Sequence, residues 1–235
     1  MFSMTMTPQT YGYSSEIENG TILEWRLEAT PTSAFNMYYT NGGNWLAENG
    51  SLMRFSIQSV SDDVVGQLTI GNVSVVANDT EIAKDLTLGV WGTPTEWWPG
   101  LIVGVGESNI ESLNATAFAS AERVSGNFLN GTMTSHYENI SVGNVQLECI
   151  IFDYEQDPSG FGDPQRTHLA YCLSTGVLVE ASTSYSFGVP YNLEISLEES
   201  GTPPVEPQQG LYLLIIGGAV LGAVFISYVI LSRRK

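Results

Sequence analysis

Four carboxylates surround one loop late in the chain, where they could bind a hard cation. Asp153, Glu155 and Asp157 alternate along this segment, and Asp163 follows two glycines. Because Ca²⁺ prefers carboxylate oxygens, the four residues are candidate calcium ligands. The spacing departs from an EF-hand loop, since Pro158 follows the third acid and no glutamate stands at the last ligand position. A solvated acidic hairpin tip explains the same residues without a metal, and it is the simpler interpretation.

Three tryptophans lie close together in the chain and are candidate ligand-binding residues. Trp97 and Trp98 precede Pro99, and Trp91 lies a few residues upstream. Exposed indole rings would form a platform for a sugar or an apolar ligand. The same side chains would serve equally as core plugs, because the open side of an amphipathic sheet needs large apolar groups to close it.

The two cysteines are predicted to face each other on adjacent strands. Residues 145–154 and 167–172 alternate in polarity on either side of a loop, and a register with Tyr154 opposite Thr167 places Cys149 opposite Cys172. We therefore predict a disulfide, consistent with an oxidising exterior. Two buried free thiols are the alternative.

The sequence carries no signature of catalysis. Cys-x-x-Cys, His-Glu-x-x-His, Gly-x-Ser-x-Gly and Walker sequences are all absent, and the Gly104-Val105-Gly106 fragment of a dinucleotide fingerprint lacks its third glycine. The two histidines, His136 and His168, lie in predicted strands among ordinary polar residues. This context predicts polar surface positions and not a zinc site or a catalytic triad. We expect no enzymatic activity and no resident cofactor.

Asn-x-Ser/Thr sequons occur more often than the composition predicts by chance. This excess indicates a glycosylated outer surface. The sequon asparagines are Asn19, Asn49, Asn72, Asn78, Asn114, Asn130 and Asn139.

The chain that positions these residues is predicted to be mostly β. Apolar and polar residues alternate in five runs of its first half, which predicts half-buried strands at 21–29, 51–60, 64–70, 73–77 and 85–91. From residue 126 onward, turn signals separate alternating runs, as in an antiparallel meander of five strands, with a two-residue hairpin turn at Gly143-Asn144. Residues 109–122 have helical spacing and are the one short helix predicted for this domain, and residues 30–50 are predicted to form a long loop with aromatic plugs.

A membrane anchor is predicted near the C-terminus. Residues 211–231 carry no charge and have the length that one membrane-spanning helix needs. The basic tail, residues 232–235, follows directly, so the positive-inside rule predicts a cytoplasmic C-terminus and an extracellular N-terminal domain on the plasma membrane. Gly218 and Gly222 place small residues on one stripe of this helix, which would allow homodimers. A tail-anchored protein that faces the cytosol is the alternative.

The remaining segments follow from this topology. Residues 16–197 are predicted to form one extracellular β-rich domain, and residues 198–210 a proline-rich linker. Residues 1–15 lack an export signal of their own, so we expect the remnant of a signal peptide or a disordered start. Without the three basic residues of the tail, the net charge of −17 becomes −20, which argues strongly against a nucleic-acid partner.

The segment LAYCLSTGVLVEAS, residues 169–182, resembles a hairpin found in uncharacterised archaeal single-pass cell-surface proteins. Thr175, Gly176, Val177 and Leu178 match that hairpin, whereas Leu173 and Ser174 replace its usual Asp-Lys. Ectodomains of those proteins resemble the LolA/LppX-like carrier fold. The resemblance covers about residues 109–197. It implies a curved antiparallel sheet, as a half-barrel or a sandwich, with helices on its concave side.

From these patterns we expect a single-pass type I glycoprotein whose ectodomain is a non-catalytic binding module. A lipid or another apolar ligand in the concavity of the sheet is the first expectation. The alternative is a structural or adhesion component of the cell envelope that contacts other envelope proteins.

Overall fold

The computed structural model describes residues 12–122, 129–157 and 162–198. The predicted anchor, the basic tail and nearly all of the predicted linker lie outside these residues. Within them, no helix is long and apolar enough to cross a membrane. The described residues all belong to one compact unit.

The described residues form eleven strands and two helices. In chain order they are β1 (Ile22–Ala29), β2 (Phe35–Met37), β3 (Gly43–Trp45), β4 (Leu52–Val60), β5 (Val64–Ile70), β6 (Val73–Asn78), α1 (Asp79–Asp85), α2 (Glu107–Ala121), β7 (Gly131–Val142), β8 (Val145–Gln156), β9 (Arg166–Cys172), β10 (Leu178–Phe187) and β11 (Val189–Leu197). Nine strands form one antiparallel sheet in the order β6-β5-β4-β1-β11-β10-β9-β8-β7, and β2 pairs with β3 in a separate hairpin.

The two faces of the nine-stranded sheet differ in burial. One face, here called the helix face, carries buried apolar side chains such as Leu23, Trp25 and Leu27 of β1 and contributes to the main hydrophobic core. The other, here called the open face, carries mostly polar side chains, including Glu24 and Arg26 of β1. This alternation follows from the two-residue period of a strand.

The predicted mostly-β antiparallel architecture is confirmed. The meander β7 to β11 has the predicted register, since Val142 pairs with Val145 across the Gly143-Asn144 turn. The predicted helix at 109–122 is α2. Two local predictions are wrong. Residues 85–91 form no strand, because the backbone N–H groups of Leu86, Thr87 and Leu88 bond back to carbonyl groups of α1, and residues 30–50 contain the β2–β3 hairpin. The expectation of a single helix is corrected to two.

A side chain caps the N-terminus of helix α1, where the first backbone N–H groups have no carbonyl acceptor within the helix. The Asn78 side-chain oxygen accepts a hydrogen bond from the Glu81 backbone N–H at 2.7 Å. Asp79 and Glu81 lie in the first turn and Lys84 in the last, which suits the helix dipole. These signals are readable in the sequence, and the helix that they start ends at Asp85, where the alternating run that suggested a strand begins.

Both buried carboxylates of α1 bind backbone N–H groups of other segments. At the C-terminal end, Asp85 accepts from the backbone N–H groups of Tyr39 at 2.8 Å and Thr40 at 2.9 Å. At the N-terminal end, Asp79 accepts from Leu101 and Ile102, each at 3.1 Å. The helix therefore ties the β2–β3 hairpin and the segment before α2 to the helix face.

Asp79 sits in an environment that opposes its ionisation. Burial raises the pKa of its carboxyl group to about 7, and the nearby charge of Asp63 adds to this rise. The hydrogen bonds from Leu101 and Ile102 act in the opposite direction without cancelling the effect of burial.

Three aromatic side chains bind backbone carbonyl groups inside the core. The Trp25 indole N–H donates to the Leu178 carbonyl at 2.7 Å. The Tyr171 hydroxyl donates to Gly100 at 2.8 Å, and the Tyr191 hydroxyl donates to Leu86 at 2.9 Å. Leu178 begins β10, whereas Gly100 and Leu86 lie outside helices and strands. Because a buried carbonyl without a partner costs free energy, the two tyrosine contacts fix irregular segments against the sheet.

We predict that Asp79→Asn removes a pH dependence of stability from the full chain. A carboxyl group whose folded-state pKa exceeds its unfolded value favours the folded state most at low pH. This contribution is complete below about pH 4 and is lost as the pH rises to about 7. It amounts to at most about 4 kcal/mol for a shift of roughly three pKa units. Denaturant unfolding in detergent at pH 4.5 and pH 8 measures the difference between wild type and variant.

The matched variant is Asp79→Ala, which leaves the Leu101 and Ile102 N–H groups without their acceptor. We expect it to be less stable than Asp79→Asn at both pH values, by about 1–3 kcal/mol. A wild type and an Asp79→Asn variant with the same pH profile would contradict the burial of an ionisable group at this position.

Candidate functional site

A groove of about 690 Å³ crosses the open face above β10, β11 and β1. Ser141, Val142 and Gly143, at the tip of the β7–β8 hairpin, line it together with residues of those strands. Since β7 is the edge strand and two strands separate it from β10, the hairpin must bend over the open face. Beneath the bend lies a small apolar cluster of Ile140, Cys149, Ile151, Ala170, Cys172 and Val179.

Carboxylates dominate the polar lining of this groove. Glu28 accepts a hydrogen bond from the Ser196 hydroxyl at 2.8 Å, and Glu198 forms an ion pair with Arg26. Glu180 and Glu194 have no ion-pair or hydrogen-bond partner for their side chains in the described part of the chain. The groove is therefore a site of negative charge that the described residues only partly neutralise.

Strand register brings the two unpaired glutamates close together. Glu180 lies opposite Ser196 and Glu194 lies opposite Ser182, so the carboxylates occupy diagonal positions on neighbouring strands. Such positions are roughly 7–8 Å apart. Their like charges repel, and a positively charged group between them would relieve that repulsion.

A polar row of Asp153, His168 and Ser182 crosses three neighbouring strands of the open face. Asp153 pairs with His168 and His168 pairs with Ser182 in the strand registers, and the Asp153 carboxylate lies 2.7 Å from His168 Nδ1. In the order Ser182, His168 and Asp153, these side chains match the nucleophile, the base and the orienting acid of a catalytic triad. However, no hydrogen bond joins Ser182 to His168 among the described contacts.

The electrostatics of the groove oppose acyl-transfer chemistry at this row. A tetrahedral intermediate needs N–H donors aimed at its oxyanion, whereas Glu180 and Glu194 place negative charge beside Ser182. The row is better explained as a cross-strand polar ladder in which Asp153 orients His168. The sequence-based interpretation of His168 as a cross-strand polar residue agrees with this geometry.

The candidate calcium ligands do not form a site. Asp153 contacts His168, and Glu155 forms an ion pair with Arg166 at 3.1 Å. Asp157 follows the end of β8, and the exposed Asp163 lies beyond a gap in the described chain. Within residues 12–122, 129–157 and 162–198, no group of three His, Cys, Asp or Glu side chains is arranged to hold a metal.

The three candidate tryptophans do not form one exposed platform. Trp97 is buried, and its ring lies 5.1 Å from that of Phe152, as expected for a core plug. Trp91 is partly buried and packs edge-on against Tyr185 and Phe187. Trp98 is partly buried, with its indole N–H 3.3 Å from Glu96.

The cysteines have the predicted register. Cys149 pairs directly with Cys172, and the Leu173 N–H donates to the Glu148 carbonyl, which makes Cys149 and Cys172 a non-hydrogen-bonded pair. Cα atoms of such pairs are about 4.5 Å apart, within the range that disulfides span. Both thiols are free and buried here, so the bridge itself stays a prediction.

The two thiols differ in acidity. Burial, together with the charge on Cys172, raises the pKa of the Cys149 thiol to about 12. Burial acts in the same direction on Cys172, but hydrogen bonds with Ser174 and Thr175 outweigh it and lower the pKa of this thiol. Cys172 is therefore the sulfur that would ionise first and attack during oxidation.

The sequon asparagines are all at least partly exposed. Asn19, Asn49, Asn72 and Asn139 are exposed, and the other three are partly buried. Asn78 caps α1 through its side-chain oxygen, which leaves its amide nitrogen for a glycan. Only Asn78 and Asn139 lie within strands, and both strands are sheet edges. No sequon asparagine lines the groove, although Ser141 of the Asn139 sequon does.

The helix face of the sheet, where an apolar ligand was expected, is filled by side chains of the core. Trp25, Trp45, Phe55, Phe152 and Tyr171 are all almost completely buried there. The groove on the open face was not predicted. The sequence feature that relates to the groove is the presence of glutamates at the polar positions of alternating strands. Because any half-buried strand has solvent-facing polar positions, these glutamates did not predict a groove.

Comparisons with known proteins supply no relative. No family model matches the chain, and no curated protein or solved structure matches it significantly.

We predict that the full chain isolated from an oxidising environment contains no free thiol. Denaturation without reductant, followed by labelling with a maleimide, should give no labelled cysteine, and prior reduction should give two. In the Cys149→Ser variant, Cys172 should label without reduction. Two labelled thiols in the unreduced wild type would refute the bridge.

Proposed function

We propose that this protein is a non-catalytic binding module of the cell surface, and that the groove on its open face takes up a positively charged segment of another envelope protein. The observation that carries the proposal is the diagonal pair of unpaired carboxylates, Glu180 and Glu194, in a groove of about 690 Å³. A lysine or arginine side chain between them would gain attraction from both.

The shape of the groove favours an extended segment as the ligand. Three antiparallel strands form the floor of the groove, and the tip of the β7–β8 hairpin lies above this floor. The groove is open at the surface. Val142 and Val179 add apolar surface beside the carboxylates. An extended peptide that alternates basic and apolar side chains would match both kinds of lining.

The overall charge supports the same class of partner. The chain has a net charge of −17, and three of its eight basic residues lie in the C-terminal tail. Long-range attraction therefore favours cationic partners and speeds their association at low ionic strength.

The predicted topology places the groove outside the cell. Residues 211–231 would anchor the chain in the plasma membrane, residues 198–210 would hold the domain away from the bilayer, and glycans would cover surfaces outside the groove. An apolar ligand on the helix face has less support, because core side chains fill that face. A structural or adhesive role is the second candidate, and the long edge strand β7 favours it.

We predict that Glu180→Gln combined with Glu194→Gln weakens binding of an octalysine peptide by roughly two- to thirtyfold, because each of the two exposed charge pairs contributes about 0.2–1 kcal/mol. Fluorescence anisotropy of the labelled peptide with the full chain in detergent measures this. The loss should shrink in 0.5 M salt, since screening weakens both interactions.

The matched control is Glu107→Gln combined with Glu111→Gln. This pair lies exposed on α2 and changes the net charge by the same amount outside the groove. Its affinity should stay within about twofold of wild type. Equal losses in both double variants would show that only net charge attracts the peptide and would overturn the groove as the binding site.

A further inference from the structure

The edge strand β7 carries a row of unpaired backbone groups. The Asp157 N–H donates to the Asn130 carbonyl, so the even-numbered residues of β7 bond to β8. The N–H and C=O groups of the odd-numbered residues, Gly131 to Ser141, point away from the sheet. None of them has a hydrogen-bond partner in the part of the chain that the structure describes.

This edge lacks the features that usually block pairing with another chain. β7 has twelve residues with an uninterrupted register to β8 and contains no proline, lysine or arginine. The other edge strand, β6, has six residues and runs directly into α1. The middle of β7 is exposed on both faces, with Tyr137 showing 62% of its surface.

The side chains of β7 select one register for pairing with a second copy. In an antiparallel pair centred on Tyr137, His136 of each chain lies opposite Glu138 of the other. Both residues are exposed on the open face, where His136 Nε2 lies 3.4 Å from the Glu138 carboxylate of its own chain and Nδ1 lies 3.9 Å from Asp153. In the pair, such non-hydrogen-bonded positions bring Cα atoms to about 4.5 Å, so each His136 would exchange its own Glu138 for that of the second copy. Moving the centre by one residue to either side would place His136 opposite itself or Glu138 opposite itself.

The helix face of this pair agrees with the same register. The two Tyr137 rings would lie directly opposite each other and cover the exposed aromatic surface of both strands. Asn139, a predicted glycosylation site, would lie opposite Ser135 of the second copy. Its side chain projects perpendicular to the sheet, whereas the two strands bond in the plane of the sheet.

We propose that two copies of this chain associate through their β7 strands, antiparallel and centred on Tyr137, to form one continuous eighteen-stranded sheet from two nine-stranded sheets. The partner is therefore a second copy of the chain, selected by two reciprocal His136–Glu138 contacts. This surface shares Ser141 with the lining of the groove and otherwise lies outside it.

Cysteine cross-linking tests the register. Tyr137→Cys in the full chain in detergent should give a covalent dimer with a short bismaleimide, because the two introduced thiols would lie on Cα atoms about 5.5 Å apart. Ser141→Cys is the matched control. Its two copies would lie eight residues apart along the strand, about 27 Å, and should not cross-link. Wild type should not cross-link either, since Cys149 and Cys172 are buried.

Charge reversal tests the selecting contacts. His136→Glu should reduce the Tyr137→Cys cross-linked fraction at least fivefold, because it places two carboxylates opposite one another. Glu138→Lys should also reduce it, because it removes the acceptor for His136 of the second copy. Combining the two should restore it, and Glu18→Lys, on a distant exposed turn, should leave it unchanged. No cross-link at position 137, or equal cross-linking at 137 and 141, would overturn the proposal, including the case in which only the anchor helices dimerise.

Discussion

The fold depends on one constraint: buried backbone N–H groups of irregular segments need acceptors, and the short helix α1 supplies them. Its two buried carboxylates, Asp79 and Asp85, lie at opposite ends and bind segments that are far apart in sequence. The hydrogen bonds of Tyr171 and Tyr191 to carbonyl groups complete this arrangement from the sheet side. Without these contacts, the segments on the helix face would carry unsatisfied polar groups into the core, at about 1–3 kcal/mol for each group.

The filling of one face determines what the other face can do. Because α1, the β2–β3 hairpin and the segment before α2 pack against the helix face, its apolar side chains are used for stability. The open face is left to contact solvent or partners. There the bend of the β7–β8 hairpin creates a groove, and its carboxylates would attract cations. The free edge of β7 offers backbone groups in the plane of the sheet, and it shares Ser141 with the groove.

Much of the fold was predictable because local patterns and tertiary structure agree. The alternation in β1 and the hairpin turn at Gly143-Asn144 gave correct strands, and counting outward from Tyr154 and Thr167 placed Cys149 opposite Cys172. Helix α1 was not predicted, although Asn78 and Glu81 carry a capping signal, because the helix is too short to show a clear helical period. The groove was not predictable, since it needs β1 beside β11, which are far apart in sequence, and a hairpin that bends.

Whether the structure brings the predicted site residues together depends on how many segments of the chain each site requires. A cross-strand pair depends on one register, whereas a tryptophan platform or a metal site depends on several segments converging. The Trp97 ring packs against Phe152 in the core. Asp153 lies 2.7 Å from His168 and 3.9 Å from His136, and Glu155 forms an ion pair with Arg166. The central claim is that the open face is the functional face in the native membrane. Carbodiimide footprinting of carboxylates on intact membranes, compared with the purified chain, tests it most directly. Protection of Glu180 and Glu194 in the membrane, with Glu107 and Glu111 labelled equally in both samples, is the predicted result, and equal labelling of all four glutamates in both samples would contradict it.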